Sequence, residues 1–186
     1  MRIISGILKG KIINFLKNPN TRPLKDSVKE NIFNILKHSK LVDVKIENAN
    51  ILDLYSGVGS FGIECISRKA QKVTFIEQNK EAANILKENL TLLADVNKVK
   101  VFDNKIEDIL KNSTNEKFNI FFFDPPFADL NYIQNLKLIK KNKMFKTNHI
   151  IIIHRERKTN DNFDNLINII DTKQYGRSKI IFGLFN

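Results

Sequence analysis

Two acidic residues, Asp53 and Asp124, each end a short apolar stretch and each open onto an unusual run of residues. Asp53 is followed by Gly57-Val58-Gly59-Ser60-Phe61-Gly62, and Asp124 begins Asp124-Pro125-Pro126-Phe127. The first run has the pattern of a turn between a strand and a helix. Such a turn lets main chain approach a ligand closely and aims helix amides at it. Glu77 ends the next apolar stretch, where a carboxylate can accept hydrogen bonds from both hydroxyls of a ribose. Gly57, Gly59 and Glu77 alone suit a nicotinamide dinucleotide equally well. Asp53 shifts the balance, because a carboxylate just before the glycines repels a pyrophosphate and attracts a cationic amino-acid group, directly or through water.

The second run is the more specific. An unpaired carboxylate at the end of Ile120-Phe121-Phe122-Phe123 is costly to bury, so Asp124 is expected to have a partner or a ligand. Two consecutive prolines fix the main chain and remove two amide donors, leaving carbonyls that can only accept. An exocyclic amine offers two N–H bonds, one for the Asp124 carboxylate and one for the Pro125 carbonyl. Accepting both turns the nitrogen lone pair toward an incoming methyl group. Phe127 can stack on the base that carries the amine. The alternative is a rigid strand-end turn capped by an acid. Taken together, the two runs point to methylation of an exocyclic amino group beside a nucleoside-bearing cofactor.

These residues require a frame. From residue 50 onward, short apolar segments alternate with amphipathic ones, and strands are expected at 51–54, 73–77, 99–102, 119–124, 149–153, 167–171 and 179–184. Ala82, Ala83, Ile85, Leu86, Leu90 and Leu93 line one side of a helix between the second and third strands. Continuous apolar strands alternating with helices predict an α/β fold, its sheet mostly parallel and covered on both faces. The last two strands are separated only by Thr172 to Ser178, too short for a helical crossover, so they should close the sheet as an antiparallel hairpin.

Ahead of this frame, residues 2–17 mix Arg2, Lys9, Lys11 and Lys17 with Ile3, Ile4, Ile7, Leu8, Ile12, Ile13 and Phe15, punctuated by Gly6 and Gly10. A short two-stranded basic ribbon is expected there, giving an N-terminal extension over 1–21 and a main domain over 22–186. A helix should begin near residue 27, with Ser27 and Glu30 at capping-box spacing. Arg22, Lys25 and Lys29 surround its start, where phosphate contacts are favoured, although a solvated first turn explains them as well.

At 186 residues and 42% hydrophobic content, the chain can bury one full core. Its formal net charge of +11 suits an anionic partner such as nucleic acid, although a chain rich in Lys, Asn and Ile can be basic through composition alone. A single cysteine, Cys65, excludes an internal disulfide and any multi-cysteine zinc site. His38, His149 and His154 have no metal-ligand spacing and read as structural or surface residues, so no metal is expected. There is no membrane-spanning apolar run and no signal-peptide pattern at the start, which predicts a soluble cytoplasmic protein.

Several of these segments, in order, resemble the RsmD family of bacterial methyltransferases, which modify N2 of one guanine in small-subunit ribosomal RNA. The resemblance rests on Arg2-Ile3-Ile4-Ser5-Gly6 with Lys9-Gly10-Lys11, then Arg22-Pro23 with Asp26-Ser27-Val28-Lys29-Glu30-Asn31-Ile32-Phe33-Asn34. Asp53 through Glu64, Ser67-Arg68, the unchanged Asp124-Pro125-Pro126-Phe127 and Tyr175-Gly176 continue it. It implies a Rossmann-like, seven-stranded S-adenosylmethionine-dependent methyltransferase fold, with ribosomal RNA, within the small subunit or its assembly intermediate, as partner. By position it assigns cofactor contacts to Asp53, Gly57, Gly59 and Glu77, and target-amine contacts to Asp124, Pro125 and Phe127. The adenine contact would fall to Asn104 or its neighbour Asp103. Substrate RNA would be held by Arg2, Lys9, Lys11, Arg22, Lys25 and Lys29. Leu24 and Asn79 depart from the family pattern, which has a threonine and an acid at those places.

Three other readings remain open on sequence grounds. The amine could belong to adenine N6 or to a protein glutamine side chain; the glycine loop could serve a dehydrogenase; or the chain could be a ribosome assembly factor without catalysis.

Overall fold

Strand order follows from which residues must be buried twice. Ile51, Leu52 and Leu54, like Ile120 through Phe123, have almost no exposure on either side, so both stretches must lie mid-sheet between two layers. The computed structural model, which describes residues 1–16, 24–93, 96–112 and 115–186, bears this out. Its sheet has seven strands: β1 (Asn50–Leu54), β2 (Lys72–Ile76), β3 (Val99–Phe102), β4 (Phe118–Phe123), β5 (Phe145–Glu156), β6 (Ile167–Tyr175) and β7 (Ser178–Phe185). Their spatial order is β3-β2-β1-β4-β5-β7-β6. The first five pair in parallel, and β7 runs antiparallel to both β5 and β6. The expected architecture is the one observed.

Alternation along each strand divides the core into two layers. Ile51, Val73, Phe75, Ile120, Phe122, Ile150 and Ile152 face one side, with α1 (Asp26–His38), α2 (Ser60–Ser67) and α3 (Lys80–Leu93). Leu52, Leu54, Ile76, Phe121, Phe123, Ile151 and Ile153 face the other, with α4 (Ile106–Asn112) and α5 (Tyr132–Lys141). Phe61 of α2 stacks between Phe33 and Phe122, with centroids 5.1 and 4.1 Å away, which fixes α2 above β4.

The N-terminal segment pairs with itself as the expected ribbon, in minimal form. A single bridge joins Arg2 to Ile12, supported by Ile3 N to Lys11 O and Ile13 N to Met1 O. Gly10 N also bonds back to Ile3 O, while four further amides of the segment bond to α2. Both Glu64 carboxylate oxygens accept amides, from Ile4 at 2.7 Å and Ser5 at 2.9 Å. The amides of Ile7 and Leu8 go to Ser67. Gly6 lies at φ +87, and a β-carbon there would meet the Ser67 carbonyl oxygen at 1.9 Å, so only glycine permits this approach. Ile3 and Ile13 are buried in the α1–α3 core layer. The boundary expected at residue 21 lies outside the described residues.

Helix α1 begins one residue earlier than expected, at Asp26, with Lys25 as its N-cap and no side chain capping it. Ser27 therefore lies inside the first turn, and the expected capping box is not formed. Strand β5 is also longer than anticipated and carries the chain past Ile153 to His154 and Arg155. Among the described residues, no helix is long and apolar enough to cross a membrane.

Candidate active site

In a parallel sheet a ligand crevice opens beyond the carboxyl ends of the strands, where the strand order reverses. Here the reversal falls between β1 and β4, and a cavity of about 560 Å³ lies over it. The cavity is bounded by the loops after β1, β2 and β4, by His154 of β5, and by Met1, Phe15, Leu16 and Leu24 from the N-terminal side.

One half of the cavity is acidic. Asp53 is buried, and its Oδ2 accepts the Gly62 amide at 2.9 Å. Glu77 ends the run of β2 into its loop. Its Oε2 accepts the Gly57 amide at 2.7 Å and its Oε1 accepts the Asn79 amide at 2.7 Å. Burial pushes the Asp53 carboxyl well above the ordinary carboxylate range; the Gly62 amide opposes this, and the charges of Asp124 and Glu77 add to it. Burial likewise raises Glu77, against the amides of Asn79, Gly57 and Gln78. Three carboxylates thus share a cavity in a chain whose net charge is +11. Asp53 and Glu77 cost free energy to keep ionised there, and a cationic ligand would relieve that cost. Gly57 lines the cavity, and no atom comes within 4 Å of a β-carbon built on it. Gly59 packs differently: it sits at φ +88 as the N-cap of α2, against Leu86 of α3.

The other half presents the Asp124–Phe127 loop. Phe123 of β4 is in register with Ile153 of β5, so Asp124, just past the end of β4, lies beside His154 of β5. His154 Nδ1 lies 2.7 Å from Asp124 Oδ1. The Phe127 ring stands edge-on to His154, with centroids 5.8 Å apart. Behind the loop, the fully buried Arg155 donates to the carbonyls of Pro126 (3.1 Å) and Phe127 (2.9 Å). Its Nε donates to Asp161 at 2.8 Å, its guanidinium lies over the Tyr132 ring, and the Tyr132 hydroxyl donates to Asp161 at 2.7 Å. Among the described residues, no protein donor reaches the Pro125 carbonyl.

The cavity therefore gathers Asp53, Gly57, Glu77, Asp124, Pro125 and Phe127. Asn104 does not join them. It is exposed and outside the lining, and its neighbour Asp103 pairs with Lys87 at 2.8 Å; Gln78, Asn79 and Ile106 line that end instead. Lys29 is a second correction. It is fully buried, donates to the Arg2 carbonyl at 2.9 Å and to Ser60 Oγ at 3.3 Å, and lies 3.6 Å from Asp26 and 3.8 Å from Glu64. No phosphate can reach it, and it anchors the N-terminal segment to α1 and α2. Arg2, Lys9, Lys11 and Lys25 are exposed. Arg22 lies outside the described residues. Sequence alone does not single out His154 or Arg155 for this site, since nothing near them in the chain marks them as partners of residues 124–127.

A family model described as conserved hypothetical protein 95 matches residues 1–183. The ribosomal RNA small subunit methyltransferase D of Haemophilus influenzae is 36% identical over 159 residues, which cover 84% of this chain and 79% of that protein. The protein of the same name from Buchnera aphidicola subsp. Baizongia pistaciae is 33% identical over 185 residues, 100% of this chain and 91% of its own. A crystal structure of a candidate methylase from Haemophilus influenzae, 30% identical, matches with a TM-score of 0.77 over 98% of this chain and 96% of that one.

Proposed function

The chain belongs to the RsmD family, and from that membership we propose that it transfers a methyl group from S-adenosylmethionine to the exocyclic N2 of a guanine in small-subunit ribosomal RNA. The observation that carries this reading is the meeting, in one cavity, of the buried carboxylates of Asp53 and Glu77 with the Asp124-Pro125-Pro126-Phe127 loop. The donor set fits the cofactor. Asp53 suits its cationic amino-acid end, Glu77 its ribose hydroxyls, and Gln78, Asn79 and Ile106 remain for its adenine. S-adenosylmethionine supplies a methyl group on a positively charged sulfur, which is already a good electrophile.

The chain's own residues then have the harder task, because guanine N2 is a poor nucleophile whose lone pair conjugates with the ring. Accepting its two N–H bonds with the Asp124 carboxylate and the Pro125 carbonyl favours the lone pair over conjugation and aims it. Phe127 stacks on the base, which must be unstacked from its neighbours or lie in a loop. Arg2, Lys9, Lys11 and Lys25 contribute phosphate contacts. Intact Asp53, Glu77 and Asp124 favour catalysis over a purely structural role in ribosome assembly.

The test is transfer of labelled methyl from S-adenosylmethionine to small ribosomal subunits lacking the modification, followed by nucleoside analysis. Label is expected in N2-methylguanosine and should vanish in Asp124→Ala while cofactor binding persists. Label in any other nucleoside would overturn the guanine assignment, and equal loss of cofactor binding would overturn the role given to Asp124.

A further inference from the structure

His154 occupies an unusual position. Its ring is buried against the cavity, touching the two residues that face the target base: Asp124 through Nδ1 at 2.7 Å and Phe127 through an edge-to-face contact. Its other nitrogen, Nε2, is buried with no hydrogen-bond partner among the described residues. An ionised carboxylate can only accept, so the hydrogen between the two side chains belongs to Nδ1. In the neutral ring Nε2 is then the bare nitrogen, which agrees with its having no hydrogen-bond partner among the described residues.

We propose that His154 is a positioning residue for methyl transfer: by donating from Nδ1 to Asp124 Oδ1 it commits one carboxylate oxygen and leaves Oδ2 for the target amine. The inference rests on the methyltransferase reading above and extends it. A free carboxylate could rotate about its terminal torsion or take both amine hydrogens itself. With Oδ1 committed, Asp124 accepts one N–H and the second must go to the Pro125 carbonyl, so the amine has a single orientation. As the N2–methyl bond forms, the S–methyl bond breaks and sulfur keeps its electron pair. The surplus N2 proton passes to Asp124 Oδ2, and His154 keeps its own hydrogen throughout. The contact with Phe127 sets the ring that stacks on the base, so one side chain aligns both amine and base.

Three variants separate positioning from packing. His154→Asn retains a donor near the place of Nδ1, His154→Leu retains the volume without a donor, and His154→Gln moves the donor outward by one bond. Wild type is assayed first on small ribosomal subunits. The Asn variant is expected to hold kcat within about fivefold of wild type. The Leu and Gln variants should lose kcat by roughly 10- to 100-fold, the worth of a hydrogen bond to a charged group, with KM and S-adenosylhomocysteine affinity unchanged. A Leu variant as active as wild type, or an Asn variant as impaired as Leu, would overturn the inference. Should a variant fail to fold, the 15N spectrum of histidine-labelled wild type decides: His154 is expected with hydrogen on Nδ1 and a bare Nε2, and the opposite tautomer overturns the inference. A wild type that transfers no methyl overturns the functional reading and this inference with it, whereas active wild type with an equally active Leu variant overturns this inference alone.

Discussion

Arg155 Nη2 donates to the Phe127 carbonyl at 2.9 Å, so the end of β5 holds the loop that follows β4. The same guanidinium takes the Pro126 carbonyl and turns its Nε to Asp161, using its flat fork in three directions at once. A lysine carries the charge but cannot reproduce that fork. Arg155→Lys is therefore expected to lower kcat by at least about tenfold, because small displacements of a positioned group are costly. Affinity for S-adenosylhomocysteine should change little, since Asp53 and Glu77, the carboxylates proposed to hold it, belong to β1 and the end of β2. Steady-state kinetics beside calorimetric binding checks this, and equal losses in both would point to general unfolding.

Asp161 anchors the other side of that network. Burial alone would raise its carboxyl, but hydrogen bonds from Tyr132, Lys179, Thr159 and Arg155 outweigh this and hold it at about 2. A carboxyl lowered in the folded state adds stability that is present above its unfolded value near 3.8 and is lost as pH falls toward 2. Asp161→Asn should accordingly melt below wild type at neutral pH, and the gap should close between about pH 4 and pH 2. Urea midpoints measured across that window test it. A gap independent of pH would mean that packing, not charge, is responsible.

Asp53 behaves in the opposite sense. Burial lifts its carboxyl in the folded protein, so the ionised form opposes folding at neutral pH, and ligand-free stability should rise as pH falls through the raised value. The gain ends below the unfolded value, where both states are protonated. Asp53→Asn keeps an oxygen for the Gly62 amide and removes the buried charge. The ligand-free variant should melt at or above wild type at pH 7, while S-adenosylmethionine affinity drops by at least about tenfold through loss of a charge pairing. Thermal melting with and without ligand reads both at once. A variant that melts lower and binds normally would make Asp53 a structural residue only.

Much of this is legible in the chain, and the exceptions have physical reasons. Ile120–Phe123 reads correctly as a strand because a doubly covered strand is apolar at every position, and Ile51–Leu54 reads so because Asp53 alone interrupts its apolar run. Lys29 reads wrongly as a phosphate ligand when charge is counted around the helix start without regard to face. Lys29, Ile32, Phe33 and Leu36 fall on one buried stripe of α1 at helical spacing, so the chain does carry the signal. Asn104 follows from analogy of position, but its loop turns outward while Ile106 at the start of α4 turns in. His154 is harder to reach from sequence. Its partner Asp124 lies 30 residues earlier, and only the parallel register of β4 and β5 brings the two together. No local pattern encodes that pairing.

The N-terminal segment offers the remaining test. Ile7 and Ile12 are 70% and 74% exposed beside exposed Arg2, Lys9 and Lys11, and Phe15 from the same segment reaches the cavity. A basic, apolar surface next to the Asp124–Phe127 loop suits a folded RNA, whose phosphates meet the cations while unpaired bases find the apolar side chains. Replacing Lys9 and Lys11 together by Ala should weaken binding to small-subunit RNA and flatten the plot of log affinity against log salt by about 0.7 to 0.9 for each phosphate no longer neutralised. Lys29→Met provides the contrast. Its cation is buried beside Glu64, so it should lower stability and leave the salt slope unchanged. A salt slope that moves with Lys29 but not with Lys9 and Lys11 would reverse the assignment and shift the RNA-binding surface to α1.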